Sequence, residues 1–447
     1  MNLGRLLIAA ILLTGLSAAV WWSNKREKAN ENKPPSDASP KILALNEGDI
    51  RQIEIKHREG EPTIVKKSDG GKWEITAPKP IAADQSAVSG ITSAVSSLSS
   101  ERLIDDKVTD PASYGLAPPA VALTFTMKNG KTTKLLLGDD TPTGSAVYAE
   151  VDGDPRLFTM ATFNKTSLDK TYKDLRDKRL MTFDQDKVSR VELTAKRQTV
   201  EFGRINQNEW QILKPKPLRA DGWQVEELVR KLKDANMDTS ISDEEAKKAV
   251  SAFASAPVVA IAKVTDPGGT QTLEIRKSKD DYYAKSSVVE GVHKVTKDLG
   301  TGVDKSLEDF RNKKLFDFGF SDPTKVEFKD GAKSATYEKS GDKWLSGGKT
   351  MDSTSVQAFI DKVRDLSASK FVESGFTAPA IELTVVSNDG KRTEKVQIAP
   401  SSGGNFVARR EGEPALYELE ANKVQELRRT SGDVKEQAPS KAPEKKK

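Results

Sequence analysis

The 447-residue chain contains no cysteine. That absence excludes disulfides, thiolate metal sites, cysteine nucleophiles and the acylated cysteine of a lipoprotein anchor. It does not fix the compartment, but it is compatible with an oxidising one, where nothing can mispair. Histidine is scarce too, being limited to His57 and His293. Both fall in strand-like stretches with no second ligand at metal spacing. Each reads as an exposed strand residue, and neither a metal nor a cofactor is expected. The body of the chain also lacks a net charge. The formal total is +5, but residues 1–33 hold five basic against two acidic side chains, and residues 431–447 hold five against three. These two ends account for the whole excess. Nucleic-acid binding needs a basic face to neutralise phosphates, and a neutral body does not provide one.

What is present begins with Leu6–Trp22, an uncharged run preceded by Arg5 and followed by Lys25 and Arg26. As a helix it reaches about 26 Å, just short of a ~30 Å hydrocarbon layer. Ser17-Ala18-Ala19 would suit a signal peptidase. Trp21 and Trp22 next to Lys25 and Arg26 instead form an aromatic belt with snorkelling cations. Residues 1–23 are therefore read as an uncleaved signal-anchor, with Leu6, Ile11, Leu16, Trp21 and Trp22 in the membrane. Arg5 and the terminal amine favour an N-in start, which places the body outside the cytoplasm on the cytoplasmic (inner) membrane as a single-pass protein. Residues 24–40 are a polar linker with Pro34, Pro35 and Pro40.

The body is organised around Trp73-Glu74-Ile75-Thr76-Ala77-Pro78-Lys79-Pro80-Ile81-Ala82-Ala83-Asp84. It recurs as Trp210 through Pro215, Lys216 and Pro217 to Asp221, and in worn form from Trp344 to Asp352. The copies stand roughly 135 residues apart, longer than the usual solenoid periods. Each predicts a strand opened by tryptophan, stopped in the first two copies by proline, which has no N–H to donate, and followed by an aspartate capping a helix. Behind the caps, Val88, Ile91 and Val95, then Val225, Leu228 and Leu232, then Val356, Phe359, Ile360 and Val363 recur on one helical face. Around these blocks lie alternating strands and hairpin turns such as Asp69-Gly70-Gly71, Asn129-Gly130 and Asp389-Gly390. The expected fold is α+β: three tandem repeats after the anchor, each an antiparallel sheet of hairpins packed with two helices. The expected boundaries are 41–183, 184–317 and 318–430, followed by a disordered basic tail over 431–447.

Chemistry is harder to find. Gly347-Gly348-Lys349-Thr350 resembles the end of a phosphate loop, but position 343 is Lys343 where that motif needs glycine, so a plain loop is expected. No Gly-x-Ser-x-Gly elbow is present, and the 66 acidic residues are too evenly spread to single out a glycosidase pair. The recurring tryptophans read as core plugs beneath their helices rather than as a carbohydrate platform. Arg176, Lys178 and Arg179, echoed by Arg311, Lys313 and Lys314 and by Arg428 and Arg429, are read as favourable charge at the C-termini of closing helices. The same residues are the candidates for contacting an anionic partner.

Tyr114-Gly115-Leu116-Ala117-Pro118-Pro119 and Leu137-Gly138-Asp139-Asp140-Thr141-Pro142, with Val147-Tyr148-Ala149 and the Trp73–Asp84 block, give the chain a resemblance to the DUF4340 family. The signature fades to Phe253-Ala254-Ser255-Ala256-Pro257 and then to Gly375-Phe376-Thr377-Ala378-Pro379. The resemblance implies a membrane-anchored bacterial protein without assigned activity. Its members are often encoded beside ABC-type transporters of the gliding-motility or auxiliary-transport kind. No catalytic residues carry over from it. The expected function is thus a non-enzymatic, membrane-anchored accessory protein whose partner is a transporter complex. The alternatives are an envelope hydrolase acting on glycan or peptide through carboxylates, and a binder of anionic polymer or lipid.

Overall fold

A computed structural model describes residues 40–206, 209–320 and 323–438. The expected anchor (Leu6, Ile11, Leu16, Trp21, Trp22) and nearly all of the linker lie outside the described residues. Among the described residues, no helix is long and apolar enough to cross a membrane. The chain divides into two compact units. One runs to Arg179 and takes in Asn236–Asp243; the other comprises Leu180–Ala235 and the residues from Glu244 onward.

The first unit follows from its strand pattern. Ile53 and Ile55 alternate with polar neighbours, and with Ile50 and Val65 they are fully buried, as a sheet with one wet face requires. Ile50–His57 starts a meander through Thr63–Lys67 and Trp73–Ala77 to the short edge strand Ile81–Ala82. Val121–Met127 pairs with the other side of Ile50–His57 and starts a second meander through Thr132–Asp140 and Ala146–Val151 to Leu157–Ala161. Arg102–Asp105 closes that far edge. The helix Gln85–Ser96 buries Val88, Ile91 and Val95, which join Trp73 and Phe125 in the core beside the sheet.

The second unit repeats this order in two sheets, the first of them without the strand that closes the far edge. Its eight-stranded sheet runs from Leu218–Arg219 through Arg190–Ala195 and Val258–Asp266 to Val292–Val295, and its nine-stranded sheet from Lys349–Thr350 through Lys325–Asp330 and Ile381–Ser387 to Lys370–Val372. Every described strand pairing in both units is antiparallel. The molecule is a mixed α+β protein of sheet-rich repeats.

The capping aspartates sit where the sequence puts them. Asp84 accepts from the amides of Ser86 and Ala87 at 2.9 and 3.1 Å, Asp221 from Gln224 at 3.2 Å and Asp352 from Ser355 at 2.9 Å. Each satisfies amides that the first helical turn leaves without partners. Asp84→Ala and Asp352→Ala are each expected to cost about 1 kcal/mol in urea denaturation, while Asp→Asn at either site should cost less.

Several expectations need correction. The helix count is uneven. Among the described residues, the first sheet has three helices (Gln85–Ser96, Thr162–Leu168, Tyr172–Leu175), the second three (Gly222–Lys233, Asp243–Ser255, Lys297–Gly302) and the third two (Ser353–Arg364, Ala421–Gly432). Asp243–Ser255 is a helix to which the sequence reading gave no element. The closing helices of the first two repeats stop early, at Leu175 and Gly302, and a 3-10 turn follows at Leu307–Asp309. Residues 431–438, expected as part of a tail, are ordered. Ser431 and Gly432 finish a helix, and Glu436 bridges to Met351. Gly347 and Gly348, with φ of 55° and 81°, form a hairpin turn, while Lys349–Thr350, expected as loop, is an edge strand.

The residues after those early helix ends have a definite job. The Asp84 N–H donates to Leu175 O, the Asp221 N–H to Phe310 O and the Asp352 N–H to Lys435 O, at 2.8, 2.8 and 2.9 Å. Return bonds run from Asp177, Asn312 and Gln437 to Ala82, Arg219 and Thr350. One residue further on, Lys178 O accepts from the Met237 N–H and Lys313 O from the Ala368 N–H, both at 2.8 Å. Near the start of the described chain, Pro40 O accepts from the Ser100 N–H in the same way. Ile42, Leu180 and Leu315 follow these points and are buried.

Candidate functional site

The sequence-marked residues are mostly structural. Trp73, Trp210 and Trp344 are all buried. The Gln85 amide clasps the backbone of Trp73, accepting from its N–H at 2.8 Å and donating to its carbonyl at 2.9 Å. Trp210 Nε1 donates to Glu226 Oε1 at 2.7 Å, and Arg204, 4.7 Å over the ring, pairs with the same carboxylate at 2.6 Å. Pro78 and Pro215 lie in exposed turns just after their strands.

The basic clusters are helix C-termini only in part, at Arg176 and Arg429. Arg176 follows Leu175 as a half-buried cap whose guanidinium is held below its usual value by burial. Arg179 is held bidentately by Asp177, at 2.9 and 2.6 Å. Arg311 pairs with Glu308 at 2.9 Å and stacks 3.3 Å over the Phe371 ring. Lys178, Lys313 and Lys314 belong to the extended segments described above, with Lys313 and Lys314 exposed. Arg428 and Arg429 lie inside the helix Ala421–Gly432, with Arg429 in its last turn as expected. Asp84, Lys178 and Arg179 do border one cavity of about 500 Å³ in the first unit.

Neither histidine is an exposed strand residue. His57 Nε2 lies 2.7 Å from Asp169 Oδ1, with both side chains about one-third exposed or less. His293 Nε2 lies 3.0 Å from Glu290 O. The two stretches carrying the family resemblance meet each other in the first unit. A Cβ on Gly138 would fall 2.1 Å from Tyr114 O, and one on Gly115, at φ 70°, would strike the Asp139 carboxyl. The glycines permit that approach, so these residues form a fold clasp.

One polar constellation went unpredicted. It lies in the second unit, where the connector 315–317 enters the third sheet. Arg410 Nη1 donates to Leu315 O at 2.8 Å, Nε lies 3.0 Å from Glu413, and Nη2 lies 3.2 Å from Glu394 and 3.4 Å from Asp317. Glu394 Oε1 accepts the Asp317 N–H at 2.9 Å. Arg219 reaches Asp317 at 3.3 Å and Glu413 at 3.6 Å, and Tyr417 donates its hydroxyl to Glu413 at 2.6 Å. Burial raises the Tyr417 hydroxyl well above its ordinary value.

Much of this grip has an uncharged counterpart in the second sheet. There Gln271 Oε1 accepts the Thr182 N–H at 2.8 Å, and Ser286 Oγ donates to Leu180 O. Gln271 faces Val264 and Ser286 faces Leu273, the register positions that Glu394 and Arg410 hold opposite Val385 and Val396, so the charges are additions to a hold the fold already achieves neutrally. Arg219 is likewise unmatched: the equivalent edge-strand positions are Ala82 and Thr350. No motif signals these residues, because they are scattered from 219 to 417. Comparison of the repeats at that edge position is the one sequence signal that singles out Arg219.

Burial raises the Glu394 carboxyl above its usual 4.5, with the Asp317 charge adding to the effect and Arg410 opposing it. A raised carboxyl favours folding below the unfolded value, and that contribution is lost as pH rises through the folded value. Wild type is therefore expected to lose stability from about pH 4.5 upward by this group. Glu394→Gln, which copies Gln271, should remove that component while retaining the bond to the Asp317 N–H. Thermal melts across pH 4–7 check it; identical slopes for the two proteins would refute it.

These features define a repeat protein of antiparallel sheets carrying one charged junction. The chain belongs to the DUF4340 family, described as a domain of unknown function, whose profile matches residues 73–250 and again 210–383. The two matches open on Trp73 and Trp210, the first residues of the recurring block. No curated protein and no solved structure matches the chain.

Proposed function

We propose that this is a non-enzymatic interaction protein of the bacterial envelope, anchored by its N-terminal segment in the cytoplasmic membrane with the repeats outside the cytoplasm. Its partner is a transporter complex, in line with the family resemblance. The observation that carries the binding reading is the division of labour among residues. Those that recur, from the tryptophans to the capping aspartates and closing segments, are spent on building the sheets. The charged junction around Arg219 and Arg410 occurs once and exceeds what the second sheet needs for the same connection. Surplus polar structure of this kind supports recognition. The three proposed repeats correspond to residues 41–183, 184–317 and 318–430.

Affinity capture of the tagged full chain from gently solubilised membranes tests the reading. Enrichment of permease and ATPase subunits of one ABC-type transporter is expected, and capture enriching neither overturns it. A second reading, contact with an anionic polymer or lipid, draws on the exposed Lys313 and Lys314. It requires binding that weakens steeply between low and physiological salt.

A further inference from the structure

We propose that the first unit carries a docking site for the headgroup of an anionic phospholipid in the membrane that holds the anchor. The site is a cavity of about 520 Å³ at one end of the first sheet, bordered by Leu45, Asn46, Asp49, Met127, Lys128 and Lys131. That volume falls within the range of small-molecule sites. Two turns build its walls. Asn46 Oδ1 accepts the Gly48 N–H at 2.9 Å, which fixes the bend leading into Ile50–His57. The Met127 N–H donates to Lys131 O at 2.8 Å, and Asn129 Oδ1 accepts the Lys131 N–H at 3.0 Å, closing the hairpin. The Lys128 N–H donates to Asp49 O at 2.6 Å and ties the two turns together.

The side chains at this cavity suit a phosphate joined to an apolar stem. Leu45 and Met127 are half-buried and pack on the first core, giving the stem an apolar surface. Lys128 and Lys131 are exposed, and neither is in an ion pair among the described residues. Asp49 is the one acidic side chain among the described residues of the wall, and it has no ion pair there either. Two lysines against one aspartate leave +1, which a single phosphodiester balances. Asp49 is then free to accept from the hydroxyls of a glycerol headgroup. A phosphocholine headgroup brings neither net charge nor a donor. The fold does not require the lysines. The turns at the same place in the second and third sheets are Asp266-Pro267-Gly268-Gly269, with one negative charge, and Ser387-Asn388-Asp389-Gly390-Lys391, with none net.

The length of chain between the anchor and this cavity identifies the occupant as lipid. Pro40 lies four residues before Ala44, at most about 14 Å along the chain. Residues 23–39 separate it from the proposed anchor. A chain of that length spans roughly 23 Å as a coil and about 60 Å at full stretch. Tethering at this range keeps headgroups at a high effective concentration beside Lys128 and Lys131. The inference rests on the anchored reading above.

The absence of cysteine supplies the test. Thr132→Cys, exposed in the same hairpin and outside the cavity wall, takes a single fluorophore in the full chain. Ser334→Cys in the third sheet carries it as a control. The labelled chain is placed in nanodiscs of phosphatidylcholine alone, or mixed with phosphatidylglycerol, each doped with a lipid bearing a quencher on its headgroup. The first probe should be quenched in the mixed discs far more than in the plain ones, and sodium chloride should relieve it. Lys128→Gln with Lys131→Gln, circular dichroism unchanged, should lower the docked-to-free ratio roughly 20-fold, about fivefold per lysine. Inorganic phosphate at matched ionic strength should compete no better than chloride; stronger release identifies a soluble phosphate and overturns the lipid assignment. Equal quenching in both discs, full quenching by the folded double variant, or equal quenching of the control probe also overturns it. If the double variant misfolds, the two disc compositions compared on the natural lysines still decide. Failure of the chain to enter either disc counts against the anchor, and the Thr132→Cys probe on chain mixed with preformed discs then decides the site by itself.

Discussion

Replacing Arg410 by methionine is expected to destabilise the second unit by about 3–5 kcal/mol, among the largest effects any single surface-distant charge should show. The Arg410 side chain is 11% exposed and touches three carboxylates as well as the Leu315 carbonyl. Removing it leaves Glu394, 5% exposed, without its counter-charge, and leaves Asp317 and Glu413 facing each other through Arg219 alone. Breaking a sheltered ion network by deleting one member is costly because the remaining charges stay desolvated. The double replacement Arg410→Met with Glu394→Gln should recover a substantial part of the loss, since the pair then approaches the neutral arrangement at Gln271 and Ser286. Urea denaturation followed by tryptophan fluorescence and by circular dichroism measures both proteins. A loss below ~1 kcal/mol for Arg410→Met would place the network among surface ion pairs of little worth.

Trp210→Ala carries the other large expected loss, also about 3–5 kcal/mol. The indole is 3% exposed, in a strand lying alongside the helix Gly222–Lys233, so truncation opens a cavity in a close-packed interior. Part of the loss is polar. Glu226 keeps Arg204 but loses the indole donor, and Arg204 loses the ring it covers. Trp210→Phe separates the terms, because it retains most of the ring and none of the N–H. It should restore more than half of the stability, and a phenylalanine variant as unstable as the alanine one would show that the hydrogen bond dominates. Trp344→Ala should behave similarly, being 6% exposed in the third core with Val356 and Phe359.

The parts of the fold legible in the sequence are those whose determinants act over a few residues. Asp84, Asp221 and Asp352 cap helices because a short carboxylate reaches amides two or three residues ahead. The hairpins are legible from alternation and from glycines at turns such as Gly71, Gly130 and Gly390, whose positive φ few other residues adopt without strain. The basic clusters misled for the complementary reason. Leu175-Arg176-Asp177-Lys178-Arg179-Leu180 continues a plausible helical pattern, yet its backbone bonds go to partners from Ala82 to Met237, and no local rule weighs those. Asp243–Ser255 has good helix formers throughout, but the matching stretch of the first repeat is a proline- and glycine-rich connection, and the analogy hid the helix.

The sequence by itself therefore determined an α+β chain of recurring antiparallel sheets, and which residues open, cap and plug each one. Periodicity, turn chemistry and capping repeat at a fixed spacing, and none needs a distant partner to be recognised. Tertiary structure alone decided that His57 meets Asp169, that Gly115 and Gly138 let two signature stretches touch, and that Arg219, Asp317, Glu394, Arg410 and Glu413 form one junction. These groups come from strands and turns up to about 200 residues apart. Charge at a single strand position has no periodic signature, so its meaning arises only when pairing register sets it against its partners.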